Sequence, residues 1–230
     1  LDVRFQARVE DGAEVAAGTI LAEVKGRGRA ILSAERTVLN ILMRMSGIAT
    51  VTRRLVKMIR ESGLNVRVAA TRKTAPGLRY FDKKAVLIGG GDPHRFRLDD
   101  AFLIKDNHVK IAGGIEKAIR KARSSASFSK KIEVEVQTKE EALEAARSGA
   151  DIIMLDNMTL EEAEETLKSL EDAGLRSKVT IEISGGITEK NLLDYAELKP
   201  DVISLGSLTH SVKAVDISLE ISEIVKKESR

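Results

Sequence analysis

The sequence contains no cysteine and no tryptophan, and aromatic residues make up only 3% of its 230 residues. The absence of cysteine excludes disulfides and metal centres with cysteine ligands. The scarcity of aromatic rings leaves little surface on which the bases of a single strand could stack, and the formal net charge is only +3. We therefore expect no nucleic-acid partner. The alternative, a basic nucleic-acid-binding protein, predicts an affinity that falls steeply with salt.

Long apolar runs are also missing from the chain. No stretch approaches the roughly 20 apolar residues that cross a membrane, and no basic segment followed by an apolar one resembles a signal peptide. These absences predict a cytoplasmic protein without a membrane partner. The chain begins with Leu1 rather than methionine, and residues 1–5 already have the pattern of a strand. We therefore expect that a segment upstream of Leu1 is missing.

From residue 65 onward, short apolar runs alternate with segments of helical periodicity. Because consecutive parallel strands must be connected across a face of their sheet, this alternation predicts a parallel α/β sheet. The predicted strands are 66–71, 86–89, 102–104, 132–136, 152–155, 179–183 and 202–205. The predicted helices are 113–124, 138–148, 159–172, 188–197 and 214–227.

Polar clusters follow nearly every predicted strand. Barrels keep their active sites at the carboxyl ends of their strands, whereas a doubly wound sheet, which also fits the alternation, binds its ligand at one switch point. The sequence therefore predicts an incomplete, six- or seven-stranded TIM-like α/β barrel over residues 65–213. Residues 1–64 are predicted to form a smaller, partial α+β domain, truncated at its start and joined by a C-terminal helix at about 214–230. Its strands lie before residue 32, and Gly47 is expected to break its helical segment in two.

The segment 132–136 alternates apolar and acidic residues with period two. This alternation places Glu133 and Glu135 on the face turned into the barrel. A carboxylate inside a barrel must be paired, hydrogen-bonded or bound to a metal, and an ion pair with a lysine or arginine of a neighbouring strand is the simplest interpretation of Glu133. Glu135 lies nearer the mouth and Asp156 ends the next strand, so together with a phosphate substrate they suit Mg²⁺. Helix capping is the alternative for Asp156.

Two glycine turns end the last two predicted strands. Ser184, Gly185 and Gly186 follow one strand, and Gly206 follows the other. Such turns let main-chain N–H groups approach an anion at a helix N-terminus, which predicts a phosphate site. His210 lies one helical turn further on and could donate to the same phosphate, although an ordinary surface histidine fits its spacing equally well.

Fixed positive charge follows three of the predicted strands, at Arg72, Lys73, Arg95 and Lys105. Four cations at neighbouring strand ends predict a pocket for a polyanionic ligand. Lys105 has an alternative interpretation as the Schiff-base nucleophile of an aldolase. Arg79, Lys83 and Lys84 are predicted to lie mainly on a solvated face.

Several motifs in this order resemble the quinolinate phosphoribosyltransferase family. They are TRKTAPGLR at 71–79, GGGDPHR at 89–95, IKDNH at 104–108, EVEV at 133–136, LDN at 155–157, SGG at 184–186 and GSLTH at 206–210, preceded by AERTVLN at 34–40 and SGIAT at 46–50. The resemblance implies phosphoribosyl transfer from phosphoribosyl pyrophosphate to quinolinate with decarboxylation, giving nicotinate mononucleotide, pyrophosphate and CO₂. A paralogue that uses another ring acid, such as nicotinate, or a relative associated with molybdate uptake is the alternative.

The same resemblance implies roles for individual residues. The quinolinate carboxylates would be bound by Arg72, His94, Arg95 and Lys105, with Arg36 contributed by the partner subunit of a homodimer or higher oligomer. The phosphates would be bound by Lys73, Ser184, Gly185, Gly186, Gly206 and His210. The catalytic residues would be Lys105, Glu135 and Asp156, and the last two would bind Mg²⁺ and ribose hydroxyls.

Overall fold

The computed structural model describes residues 2–224. It begins with an antiparallel pair of strands, β1 (Val3–Ala7) and β2 (Ala22–Gly26), whose register runs from Val3 opposite Gly26 to Ala7 opposite Ala22. This pair confirms the predicted strands before residue 32. A single helix, α1 (Gly28–Glu61), follows.

Helix α1 is continuous, so the predicted break at Gly47 is wrong. Gly47 is buried within the helix, and a Cβ atom added there would collide with the main-chain oxygen of Lys213. Its missing side chain therefore serves the close approach of a later segment rather than a turn. The second half of α1 contributes Ile48, Leu55 and Ile59 to the main hydrophobic core.

The remaining elements alternate strand and helix. In chain order they are β3 (Arg67–Ala69), α2 (Arg79–Ile88), β4 (Phe102–Ile104), α3 (Asp106–Ala112), α4 (Ile115–Ser125), β5 (Ile132–Val136), α5 (Lys139–Arg147), β6 (Ile152–Asp156), α6 (Leu160–Asp172), β7 (Thr180–Ser184), α7 (Leu192–Glu197), β8 (Val202–Ser204) and α8 (Ser207–His210). A short 3-10 turn at Arg176–Lys178 precedes β7.

Strands β3 to β8 form one parallel six-stranded sheet in the order β3-β8-β7-β6-β5-β4. After α2 the chain returns to the free edge of β3, where Ala69 and Asp92 form a parallel bridge. His94, two residues further on, contacts Glu133 on β5 and Glu182 on β7. Contacts from this edge to strands across the sheet require the sheet to curve strongly. The structure therefore confirms an incomplete TIM-like α/β barrel.

The two faces of the sheet differ in chemistry. Outward-facing residues such as Val134, Ile153, Ile181 and Ile203 have no exposed surface and form the core beneath the helices. The inward face carries acidic residues on β5 and β7. This division confirms the prediction that period-two alternation sends the valines outward and the glutamates inward.

Three predicted elements differ from the structure. Residues 86–89 are not a strand but the end of α2 and the turn after it, because Val86 packs within the core as part of a helix. A short apolar run does not distinguish the two states. The predicted helix 113–124 corresponds to α4, which begins at Ile115 after the separate helix α3, and the predicted helix 188–197 begins only at Leu192.

The predicted C-terminal helix is also wrong over its described part, since residues 211–224 are not helical. The Val215 N–H instead donates to the main-chain oxygen of Met43 on α1, at 3.0 Å. Packing against α1 overrides the local helical pattern. The rest of the predicted helix, residues 225–230, lies outside the described residues. Among residues 2–224, no helix is both long and apolar enough to span a membrane.

Candidate active site at the barrel mouth

The register of the parallel strands determines which side chains share the inner face. Leu103 pairs with Glu133, Glu135 pairs with Met154, and Asp156 pairs with Ser184, which in turn pairs with Ser204. Paired residues of neighbouring parallel strands point to the same side of a sheet. Glu135, Asp156 and Ser184 therefore line the carboxyl end of the barrel, while Glu133 lies one layer deeper.

Lys105 follows β4 and forms an ion pair with Glu135, from Nζ to Oε1. The Lys105 side chain is half exposed, whereas Glu135 is largely buried. The main-chain N–H of Lys105 donates to Nδ1 of His108 at 3.0 Å, so His108 caps α3. The ion pair with Glu135 places Lys105 among the charged groups of the mouth, and the aldolase interpretation stays a prediction.

The deeper layer contains a cluster of His94, Glu133 and Glu182. Nε2 of His94 lies 3.1 Å from Oε2 of Glu182 and 3.5 Å from Oε2 of Glu133. Burial by itself would lower the pKa of His94, but the two carboxylates outweigh burial and raise this pKa to about 10. The partner of Glu133 is thus a histidine from a loop, not the lysine or arginine of a neighbouring strand that the sequence suggested.

Two arginines complete the cationic side of the mouth. Arg72 follows β3, and its buried Nε has no hydrogen-bond partner in the described chain. Burial lowers the pKa of Arg95, Glu133 opposes this shift, and the neighbouring charge of Arg72 adds to it. A buried guanidinium N–H without an acceptor is costly. Arg72 therefore keeps an unused donor for an anion at the mouth.

The turns after the neighbouring strands β3 and β8 meet at the rim of the mouth. The Thr209 hydroxyl donates to the main-chain oxygen of Lys73 at 2.8 Å. A Cβ atom added at Gly206 would lie 3.0 Å from side-chain atoms of both Lys73 and His210. A cavity of about 350 Å³ opens here, lined by Arg44, Lys73, Thr74, Ala75, Pro76, Thr209 and His210. The structure thus brings together three of the predicted phosphate-binding residues.

The turn after β7 is held by its neighbours. The Ser204 hydroxyl donates to the Ser184 hydroxyl at 2.9 Å, and the Asn157 N–H donates to the main-chain oxygen of Ser184 at 2.8 Å. Gly185 has a φ of +90° and lies against the Asn157 side chain, so no other residue fits there. Ser184, Gly185 and Gly186 are therefore at the same end of the barrel as Gly206.

The structure does not bring Arg36 into contact with the other predicted site residues. Its side chain is 70% exposed, and its nearest acidic neighbour is Glu35 at 3.9 Å. None of the ion pairs or hydrogen bonds among residues 2–224 joins it to the barrel mouth. The in-trans prediction for Arg36 requires a second chain.

Sequence reasoning missed Glu182 and misplaced Lys83. Strand β7 has the same period-two alternation as β5, and that signal would have placed Glu182 inside the barrel. Lys83 is fully buried rather than solvated: its Nζ donates to the main-chain oxygen of Pro93 and lies 5.9 Å from the centre of the Phe96 ring. Burial is the main reason that its pKa is lowered to about 8.

A larger open groove, of about 930 Å³, lies on the outside of the barrel between α4 and α5. It is lined by exposed charged residues of both signs and contains none of the residues at the mouth. Because this lining is solvated and carries both signs of charge, it does not select a ligand of one charge. The mouth therefore remains the candidate site.

Family models match almost the whole chain. The quinolinate phosphoribosyl transferase C-terminal domain matches residues 48–220, and the N-terminal domain of the same family matches residues 1–46. The chain belongs to the quinolinate phosphoribosyl transferase family. This membership agrees with the resemblance that the motifs carry. The division at residue 64 stays a prediction.

Individual members of the family are similar over most of their length. The chain is 56% identical over 221 residues to a protein of Methanocaldococcus jannaschii named as a probable carboxylating nicotinate-nucleotide pyrophosphorylase, with 95% of this chain and 77% of that protein covered. It is 42% identical over 211 residues to the human carboxylating nicotinate-nucleotide pyrophosphorylase, with 92% and 70% covered. The crystal structure of NadC from Streptococcus pyogenes superposes with a TM-score of 0.86 at 42% identity, covering 95% of this chain and 75% of that one.

Proposed function

We propose that this chain transfers the phosphoribosyl group of phosphoribosyl pyrophosphate to quinolinate and releases pyrophosphate and CO₂, giving nicotinate mononucleotide. One observation carries the proposal: a cationic cluster for carboxylates and a glycine-lined rim for phosphates share one barrel mouth. Arg72 and Arg95 belong to the cationic cluster, and Lys73, Gly206 and His210 come together where the turns after β3 and β8 meet. The family membership and the names of the relatives support the same reaction.

The cationic cluster suits a ring that carries two carboxylates. Quinolinate has two such groups, and Arg72, His94, Arg95 and Lys105 provide donors around the inner rim. Arginine binds a carboxylate through two parallel hydrogen bonds, so two arginines orient the ring as well as attract it. We propose that this orientation points the ring nitrogen at the phosphoribosyl group.

The rim after β7 and β8 suits the phosphates. Main-chain N–H groups of Gly185, Gly186 and Gly206 approach an anion without steric hindrance, and Ser184 supplies a hydroxyl. Lys73 and His210 add side-chain donors where the two turns meet. With the ring and the sugar held in one mouth, positioning supplies a large part of the rate enhancement.

In the proposed first step, the ring nitrogen forms a bond to the anomeric carbon, and the carbon–oxygen bond to pyrophosphate breaks. The leaving pyrophosphate takes the electron pair, and the cations at the mouth stabilise its charge. The ring is now a pyridinium. When the 2-carboxylate departs as CO₂, its electron pair stays on the ring carbon beside the positive nitrogen, and a proton from water completes nicotinate mononucleotide. The chain needs no strong base for this sequence.

We propose that Glu135 and Asp156 hold Mg²⁺ for this reaction. Both carboxylates lie on the inner face at the carboxyl ends of adjacent strands, and the described residues offer the Asp156 side chain no ion-pair partner. Carboxylate oxygens with room for water and phosphate oxygens fit the preferences of this ion. When bound, Mg²⁺ would neutralise the charge of the pyrophosphate.

We propose that each barrel mouth receives Arg36 from a second copy of the chain. Helix α1 exposes Leu32, Val38 and Leu42 close to this residue, at 55%, 57% and 39%. Neighbouring exposed apolar residues on one helix are typical of a surface that another chain covers. A symmetric dimer would then present Arg36 to the partner's mouth.

The test is direct. The purified chain is incubated with quinolinate, phosphoribosyl pyrophosphate and Mg²⁺, and nicotinate mononucleotide and CO₂ are measured, with ¹⁴C in the 2-carboxylate to follow the second product. Nicotinate replaces quinolinate in a parallel reaction. We expect product with quinolinate only. Turnover of nicotinate alone would assign the chain to a paralogous activity.

A further inference from the structure

Two buried carboxylates beneath the mouth have no part in the chemistry described so far. Glu133 on β5 is 0% exposed and Glu182 on β7 is 2% exposed. Both side-chain oxygens of Glu133 and Oε1 of Glu182 lack a hydrogen-bond partner within residues 2–224. Burying a carboxylate without full hydrogen bonding is costly. Both carboxylates contact the same side chain, and this contact indicates their role.

That neighbour is the imidazole of His94. Nε2 is hydrogen-bonded to Glu182 at 3.1 Å and lies at an ion-pair distance of 3.5 Å from Glu133. The other ring nitrogen, Nδ1, has no hydrogen-bond partner in the described chain and is not one of its buried polar atoms. One edge of the ring is thus held from inside the barrel, while the other remains accessible.

The main chain holds the same ring from its own loop. His94 has a φ of +55°, a left-handed conformation that residues other than glycine seldom adopt. Its N–H donates to Oδ1 of Asp92 at 2.7 Å, and Lys83 donates to the main-chain oxygen of Pro93 beside it. An unfavourable conformation that several neighbours maintain is characteristic of functional sites.

We propose that Glu133 and Glu182 are positioning residues: they hold His94 as an imidazolium whose Nε2–H points into the barrel and whose Nδ1–H is free for a ring carboxylate of the substrate. The inference rests on the proposed function and extends it, because it identifies the group that keeps His94 charged. A neutral imidazole with Nε2–H alone would offer a carboxylate only the lone pair of Nδ1. The raised pKa of His94 agrees with the charged form.

The charges around His94 come from every element packed against it. The carboxylates of Glu133 and Glu182 face its ring, and Asp92 accepts its main-chain N–H. The charge of Arg95 acts on Glu133, and Lys83 donates to the main-chain oxygen of Pro93 next to His94. One ring nitrogen and two carboxylates within 4.8 Å of one another also form a potential site for a divalent cation. The cations of Arg95 and Lys83 repel a double charge more strongly than a single one, so the arrangement favours imidazolium over a metal ion.

The first experiment measures the charge of His94 directly, without substrate. Protein labelled with ¹⁵N-histidine is titrated by NMR, and the resonances of His94 are assigned from their loss in His94→Asn. We expect wild-type His94 to stay doubly protonated to about pH 9. In Glu182→Gln the midpoint should fall by two pH units or more. Glu165→Gln, which removes an exposed carboxylate on α6, is the matched control and should leave the midpoint unchanged.

The second experiment follows KM for each substrate against pH. In Glu182→Gln, KM for quinolinate should rise roughly 4- to 100-fold at pH 8.5 and approach the wild-type value at pH 6, because the ring regains its proton there. KM for phosphoribosyl pyrophosphate should not change. A loss that is caused by general damage to the barrel would affect both substrates and would not reverse at low pH.

The outcomes separate this inference from the proposed function. A wild-type chain that converts no quinolinate rejects the proposed function, while the titration still decides whether the carboxylates charge His94. Wild-type His94 that titrates near pH 6.5 overturns the inference even if turnover is normal. A stoichiometric divalent ion in the purified protein, whose removal restores ordinary titration of His94, also overturns it and assigns the cluster to a metal.

Discussion

Arg44 of α1 and Asp82 of α2 form an ion pair with two contacts, Nε to Oδ1 at 2.7 Å and Nη2 to Oδ2 at 2.9 Å. Asp82 is fully buried, and its Oδ2 also accepts the N–H of Ala75 at 3.0 Å. Arg44 donates in addition to the main-chain oxygen of Thr209 at 2.6 Å. The pair therefore connects α1 with the loops after β3 and β8, which carry the candidate ligands for carboxylate and phosphate.

Removing the cation of this pair should destabilise the protein strongly. Arg44→Met leaves the Asp82 carboxylate buried without a counter-charge, and we expect the free energy of unfolding to fall by about 3–5 kcal/mol in urea denaturation. Arg54→Met is the matched control, because its 2.7 Å ion pair with Glu189 is exposed. That change should cost less than about 1 kcal/mol. Equal losses in both variants would contradict the prediction.

The two arginines of the mouth should be essential for quinolinate. Arg72→Ala or Arg95→Ala leaves the dianion with one guanidinium fewer in a desolvated site, so transition-state binding should weaken by about 2–5 kcal/mol in kcat/KM. Arg97→Ala changes an exposed neighbour in the same loop and should behave like wild type. Either site variant with wild-type kcat/KM would exclude that arginine from the carboxylate site.

The proposed metal ligands predict a change in Mg²⁺ dependence. Asp156→Asn and Glu135→Gln each replace a carboxylate oxygen with a weaker amide ligand, so the Mg²⁺ concentration for half-maximal activity should rise while the fold is retained. Glu133→Gln, one layer deeper on the same strand, should leave this concentration unchanged. Full activity of the double variant at low Mg²⁺, or of the native protein in excess chelator, would eliminate the metal role.

The exposed position of Arg36 predicts complementation between subunits. Arg36→Ala and Arg72→Ala homodimers should each be nearly inactive, and mixing them should restore roughly a quarter of wild-type activity. Half of the randomly mixed dimers are hybrid, and one of the two sites in each hybrid is intact. The control mixes Arg72→Ala with Arg95→Ala, which both belong to one chain's own mouth, and should recover nothing. If subunits demonstrably exchange but activity does not return, Arg36 does not act in trans.

The buried Lys83 predicts a pH dependence of stability with a definite sign. Burial lowers its pKa in the folded protein to about 8 from an ordinary value of 10.5, so the unfolded chain binds this proton more tightly. The cost of folding with a charged Lys83 is therefore fully present below about pH 8 and is lost as the pH rises towards 10.5. Wild type should gain stability relative to Lys83→Met over that window.

Guanidinium unfolding curves at intervals from pH 7 to pH 10 would measure this difference. Other titrating groups, His94 among them, are common to both proteins and cancel in the comparison. Lys84→Met replaces the exposed neighbour, and its difference from wild type should not change with pH. A wild-type advantage that stays constant or shrinks between pH 8 and pH 10 would show that Lys83 does not titrate in this way.

Local periodicity was sufficient to predict much of the fold and to place the site at the carboxyl ends of the strands. The alternation in β5 determined that Glu133 and Glu135 point inward, because successive residues of a strand must face opposite sides. The strand and helix rhythm determined a parallel sheet, and the polar residues after its strands identified the mouth. These features depend only on neighbours in the chain, which is why the sequence alone was enough to predict them.

Tertiary structure decided what lies deeper. The packing of Lys213 against Gly47 and the contacts of His94 with Glu133 and Glu182 join segments that are distant in sequence. The burial of Lys83 depends on the path of the loop that carries Pro93. Each depends on how far the sheet curves and on where the loop after α2 returns to it. A sequence pattern indicates which face of its strand a residue occupies. It does not give the distance between side chains of two strands that face each other across the barrel.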